Sequence, residues 1–261
     1  MKKTGHSFYV FSSLKVALLV VIASSFYLVA AEDADFPGQR SGKDLQAAGF
    51  ESLFAGKNFA EWDFKPWHQE HFVVKDGLID YDGLSEAKKW SENNLWTKKS
   101  YADFTFYAEW RLPRKPELKA HPVVLYNGDF LMEQDHPKKR VTRAHLDAGD
   151  SGFYFRGDTR CQANIWSQAL GSGEINGYRT DKSMPAVTRR GCIPLKNADR
   201  PLGQWNAFEV TIKGNRMTVV LNGEKVINAV PLPDLPARGP IALQHHHDPV
   251  QFRNLWVKEL P

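Results

Sequence analysis

The sequence predicts an all-β protein, a two-sheet antiparallel sandwich. Short runs alternate apolar and polar residues with period two, tight-turn pairs such as Asp76-Gly77 and Asn222-Gly223 separate them, and no segment sustains a helical period. Nineteen glycines, 15 prolines and 12% aromatic residues suit a turn-rich β protein. About ten short strands fit one sandwich of 200 residues or more.

The chain opens on an export signal. Lys2 and Lys3 precede an apolar run, Val16 to Ala31, and Val29 and Ala31 fit the small-residue rule for cleavage before Glu32. The run is short beside the roughly 20 residues of a membrane span. The expectation is therefore an exported protein, periplasmic or secreted, with no stable membrane insertion after cleavage; an uncleaved anchor is the alternative. Residues 32–48 are polar and mixed and read as a linker or a loosely docked arm. A single domain is expected over 49–261. The formal charge of +4 resides mostly in Lys2, Lys3 and Lys15; beyond residue 31, 31 basic residues face 30 acidic ones. So balanced a surface argues against nucleic acid as the partner.

Organised sequence begins at Gly49, with Phe50, Leu53 and Phe54 before a turn at 56–58 and Trp62 after it. Phe72-Val73-Val74 and Leu78-Ile79-Asp80 flank Asp76-Gly77 as a hairpin. In the next strand Phe104, Phe106, Ala108 and Trp110 share one face, and Thr105, Tyr107, Glu109 and Arg111 share the other. Residues 123–132 read as a hairpin around Asn127-Gly128, and Lys138, Lys139, Arg140 and Arg143 as a solvated loop face. The Gly-rich stretch 167–203 is long enough to be a lid or binding loop. Strands follow from Trp205 to Lys213, from Met217 to Leu221, over 225–227, from Ile241 to His246 and from Val250 to Leu260.

The stretch from Asp150 to Trp166 reads as two strands joined by a tight Gly-Asp turn. Phe153 and Phe155 point one way, with Cys161, Ala163 and Ile165 on the same core side. Tyr154, Arg156, Gln162, Asn164 and Trp166 gather on the other face. These residue types hydrogen-bond sugars and stack on their rings; an ordinary solvent-facing sheet is the plainer alternative. Cys161 and Cys192 are either a disulfide, expected of an even pair in an exported chain, or two separate buried thiols.

Three consecutive histidines, 245–247, invite a metal reading, but strand geometry turns His246 away from His245 and His247. A chelating pair would be His245 with His247, joined by Asp248. No metal or other cofactor is expected, and no Cys-x-x-Cys pattern is present. His246 shares a face with Gln244 and is a candidate proton-transfer group. Nucleophile-elbow and phosphate-loop motifs are absent, and Glu133-Gln134-Asp135 lacks the further Glu of a paired-carboxylate glucanase strand. Glu109 is the one acid centrally placed on a polar strand face, beside Tyr107 and Arg111; it is either a catalytic base or sugar contact, or part of a salt bridge.

Four blocks in order resemble the 3-keto-disaccharide hydrolase family: GFESLFAGKNFAEWDF (49–64), NLWTKKSYADFTFYAEWRLP (94–113), DSGFYFRG (150–157), and GQWNAFEVTIKGNRMTVVLNGEKV (203–226) with GPIALQHHHDPVQFRNLWVKEL (239–260). The resemblance implies a concanavalin-like jelly roll acting on glycosides whose sugar carries a ketone at C3. It departs from the family pattern where a Glu is replaced by Gln162 and a Gln by Asn164. His246 matches the family His, and the segment 114–149 is longer than a minimal member needs. The resulting assignment is His246 or Glu109 as base and Arg156 as oxyanion donor. Gln162, Asn164 and Gln244 are sugar-hydroxyl contacts, Trp166 stacks, and Tyr107 and Tyr154 complete the substrate site. The expected partner is an oligosaccharide or glycoside. A carbohydrate-binding module without chemistry, or a scaffold domain, are the alternatives, the first favoured by the Gln162 replacement.

Overall fold

The computed structural model describes residues 35–84 and 93–261. The export signal and its cleavage point before Glu32 lie outside the described residues. The larger sheet contains β1 (Glu51–Phe54), β2 (Phe72–Lys75), β3 (Leu78–Tyr81), β5 (Phe104–Arg111), β10 (Asn206–Lys213), β11 (Arg216–Leu221), β12 (Glu224–Pro231) and β14 (Val250–Glu259). Its order is β12-β11-β10-β5-β14-β3-β2, with β1 also paired to β14. The smaller sheet runs β4 (Leu95–Trp96), β13 (Ala242–Leu243), β8 (Asp150–Phe155), β9 (Asp158–Trp166), and its pairs are antiparallel. A separate ribbon pairs β6 (Glu117–Pro122) with β7 (Thr142–Asp147).

Aromatic residues at alternate strand positions build the core between the sheets. Phe153 of β8 lies 5.0 Å from Phe106 of β5 and 5.3 Å from Phe252 of β14, ring centre to ring centre. Phe155 also meets Phe106, at 5.6 Å. Each of these buried rings contributes roughly 2–3 kcal/mol from apolar area removed from water. With Phe153 and Phe155 committed inward, the pleat turns Tyr154 to the opposite face of the small sheet.

The hairpin turns are where the sequence places them. Asp76-Gly77 has φ of 50° and 79°, and Asn222-Gly223 has φ of 52° and 80°. Both central residues are thus left-handed, the geometry that lets a two-residue turn follow the twist of its strands.

The stretch read as a linker or loose arm folds onto the sandwich from Phe36 onward. Ser41 caps α1 (Gly42–Ala47) by accepting from Asp44 N, and Leu45 is fully buried. Phe36, Leu45 and Phe50 cover Tyr107, Trp205 and Ala207 on the outer face of the large sheet. A six-residue helix is too short to show a period, so this cover leaves no pattern in the sequence.

Three more short helices interrupt the loops: α2 (Pro66–His71), α3 (Asn176–Thr180) and α4 (Ala186–Gly191). The last two occupy the Gly-rich stretch 167–203. Under α3 a fully buried Arg179 pairs with fully buried Glu174, donates to Gly128 O and lies over the Phe130 ring at 4.7 Å. Asp129 accepts from Lys182 and Arg189. The tip of the 114–147 segment is thereby bolted to α3 and α4, while Arg114 at its base bonds Asp147 and Asp248.

Cys161 and Cys192 are free, buried thiols, which corrects the disulfide reading. Cys161 points into the core, its sulfur 3.8 Å from Met217 Sδ. Burial pushes both thiols above their usual range, Cys192 to about 12, so neither is a ready nucleophile.

Candidate functional site

The outward face of the β8–β9 hairpin forms a groove floor. Register places Tyr154 opposite Gln162, Gly152 opposite Asn164, and Asp150 opposite Trp166. The bare Gly152 is what lets the Gln162 amide lie across the sheet, since a Cβ there would sit 2.5 Å from Gln162 Nε2. Gln244 continues the line from β13: its backbone N–H donates to Gly152 O at 2.9 Å, and its side-chain Oε1 accepts from Gln162 Nε2 at 2.6 Å. That bond leaves Gln244 Nε2 as a donor. Asn176 and Gly177 of α3 form the wall, and His246 closes the end. Together they enclose a cavity of about 270 Å³.

Two carboxylates set the electrostatics of this cavity in opposite directions. Burial pushes the Asp150 carboxyl up to about 7; the neighbouring His246 opposes the shift, and the charge of Asp248 adds to it. Burial acts on Asp248 too, but is outweighed by the hydrogen bond to His246 and the charge of Arg114, so its carboxyl stays below the usual range. Asp248 Oδ2 accepts from Asp150 N at 3.0 Å and lies 3.8 Å from His246 Nδ1. One carboxylate thus orients a histidine while the other keeps a proton near neutral pH, an arrangement that separates acid from base. Asn164 Oδ1, on a side chain only 3% exposed, has no hydrogen-bond partner among the described residues. A buried acceptor left open costs stability, and a sugar hydroxyl would satisfy it.

Six of the residues expected at the site converge here: Tyr154, Gln162, Asn164, Trp166, Gln244 and His246. Arg156, Glu109 and Tyr107 lie elsewhere. The hairpin turns at Arg156-Gly157, one residue earlier than expected, with φ of 53° and 68°. Arg156 therefore leaves the strand alternation and reaches into the protein. Its Nε donates to Ala102 O at 2.7 Å, Nη1 to Gly214 O at 2.7 Å, and Nη2 to Asp103 at 2.9 Å. It fastens loops instead of facing the groove. We expect Arg156→Met to cost about 3 kcal/mol by orphaning these buried acceptors. Thermal melting should detect the loss, with sugar affinity of the folded fraction unchanged.

Glu109 and Tyr107 sit on the outer face of the large sheet, beneath the α1 cover. Glu109 is 1% exposed and accepts from Tyr107 OH at 3.0 Å, Arg253 Nε at 2.7 Å and Asn254 Nδ2 at 2.9 Å. This is a buried ion-pair network, the salt-bridge reading of Glu109. His245 is buried edge-on against Trp67, at 4.9 Å, and Tyr81, at 5.9 Å. Among the described residues, no group of three or more His, Cys, Asp or Glu side chains is placed to hold a metal ion.

Sequence reasoning passed over Asp150 and Asn176. Asp150 begins a strand and looks like turn chemistry; only its burial against His246 and Asp248 marks it. Asn176 belongs to a five-residue helix with no periodic signature.

Two solved structures from Parabacteroides distasonis, each described as a "putative glycosyl hydrolase", share this fold. One is 20% identical with a TM-score of 0.51, covering 89% of this chain and 96% of its own. The other is 18% identical with a TM-score of 0.52, covering 86% and 100%. No curated protein matches the sequence. Residues 49–258 match the family of 3-keto-alpha-glucoside-1,2-lyase-like domains, and the chain belongs to that carbohydrate-related family.

Proposed function

We propose that the chain cleaves 3-keto-glycosides at the β8–β9 groove, by removing the C2 proton and expelling the C1 substituent. The observation that carries this reading is the Asp150–His246 pair, two proton-transfer groups on a floor of amides. A ketone at C3 acidifies the proton on C2, so a modest base suffices. The base takes that proton, the electrons form an enolate, and the enolate expels the C1 oxygen, which leaves with a proton. The products are a C1=C2 unsaturated 3-keto sugar and the free alcohol; addition of water to the former completes a hydrolysis.

Asp150, poised near 7, is the base, since a catalytic group works best with a pKa close to the operating pH. His246, oriented by Asp248, donates to the leaving oxygen. Gln244 Nε2 and the Asn176 amide are the donors available to the developing enolate oxygen. Asn164 Oδ1 takes a sugar hydroxyl, and Tyr154 and Trp166 offer ring faces. Asp150 thus fills the part left open by Gln162, where family members carry Glu.

The test gives the full chain a 3-keto-glucoside and the matching unoxidised glucoside and follows release of the alcohol. Release from the oxidised sugar alone is expected. Release from neither, with measurable sugar binding by calorimetry, would leave a carbohydrate-binding module in place of an enzyme.

A further inference from the structure

A second cavity, of about 400 Å³, opens beside the groove and shares Trp166 with it. Its volume falls within the ordinary range for a small-molecule site. Trp110, Leu112, Leu146 and Leu202 line it together with Trp166, and Arg200 stands at its edge. Two observations mark it as built to receive something. Trp110 is 2% exposed, and its indole N–H has no acceptor among the described residues. Buried indole N–H groups ordinarily find one. At the margin, Leu146 and its cross-strand partner Leu118 are 50% and 73% exposed, directly opposite one another on β7 and β6. Fold stability gives no reason to hold two leucines in water beside an apolar hollow.

We propose that this cavity binds the leaving alcohol of the glycoside, and that it selects an aromatic aglycone bearing a carbonyl oxygen. The proposal rests on the sugar occupying the β8–β9 groove. A C1 substituent passing Trp166 then enters a hollow walled by two indoles and three leucines. Its ring replaces water on those faces, and its carbonyl oxygen accepts from Trp110 Nε1 at the floor. A second sugar, with hydroxyls all round, would find few partners on such walls.

Calorimetry with free 4-hydroxyacetophenone separates this claim from the catalytic one, because the probe contains no sugar and undergoes no reaction. The full chain is expected to bind it. Trp110→Phe, which keeps the ring and removes the N–H, should weaken binding about fivefold, the worth of one net hydrogen bond. The same change should leave 4-ethylphenol, which lacks the carbonyl, unaffected. Leu146→Glu, at an exposed position the fold does not depend on, should weaken both probes about tenfold or more. Asp150→Asn should change neither. No detectable binding to the full chain, or binding indifferent to both Trp110→Phe and Leu146→Glu, would overturn the proposal. A chain that binds the probe as described yet cleaves no keto-glycoside would uphold the cavity and sink the lyase reading instead.

Discussion

Asp150→Asn should lower turnover of a 3-keto-glucoside by about 10³-fold, within the range for loss of a general base, and should make the protein more stable at pH 8. Both effects follow from one property, a carboxyl whose pKa in the folded protein is about 7 against an ordinary value of 3.8. Below about pH 4 the group is protonated folded or unfolded, and costs nothing. Between there and pH 7 the unfolded chain releases the proton while the folded one retains it, so stability falls as pH rises. Above 7 the penalty is complete, on the order of 2–4 kcal/mol. The amide carries no charge and escapes it. Melting curves at pH 5 and pH 8 should therefore converge in the variant, where the parent loses stability on going to pH 8. Activity runs the other way: the rate constant for the parent should rise through about pH 7 as Asp150 ionises, and that limb should vanish in the variant. A site that is destabilising when charged and active when charged is typical of catalytic groups.

The opposite pattern is expected at Glu109, the other carboxylate singled out by its sequence position. Glu109→Ala removes the buried counter-ion of Arg253 and the acceptor of both Tyr107 OH and Asn254 Nδ2. Breaking one side of a buried pair costs about 3–5 kcal/mol, which in a domain of this size lowers the melting midpoint by roughly 6–20 °C. The network lies on the outer face of the large sheet, under α1, and the groove lies on the outer face of the small one. Turnover per folded molecule should therefore stay within about twofold of the parent below the new midpoint, by the independence of distant sites. Thermal melting and initial rates on the same sample separate the two quantities.

These two carboxylates also show how far the sequence could be read. Alternation alone distinguished Phe153 and Phe155 from Tyr154, and Gln162, Asn164 and Trp166 from Cys161, Ala163 and Ile165, because a paired strand obliges side chains to alternate. The same rule failed for Arg156, one residue further on, because its positive φ takes it out of the strand. Alternation likewise put Glu109 on a polar face without revealing that Phe36, Leu45 and Phe50 cover that face. A polar strand face carries no mark of what lies over it. Asp150 was illegible for a related reason: its raised pKa comes from burial in a cavity closed by His246 and Asp248, nearly a hundred residues away in the chain. Local pattern gives sheet faces and turns; coverage and electrostatics arise only when distant segments meet.

The central claim is that the groove removes the C2 proton of a 3-keto sugar, and a deuterium isotope effect tests it most directly. Turnover of a 3-keto-glucoside labelled with deuterium at C2 should be slower than that of the unlabelled compound by about threefold or more, the ordinary consequence of breaking that bond in the slow step. Equal rates for the labelled and unlabelled sugars, together with equal release from an unoxidised glucoside, would contradict it.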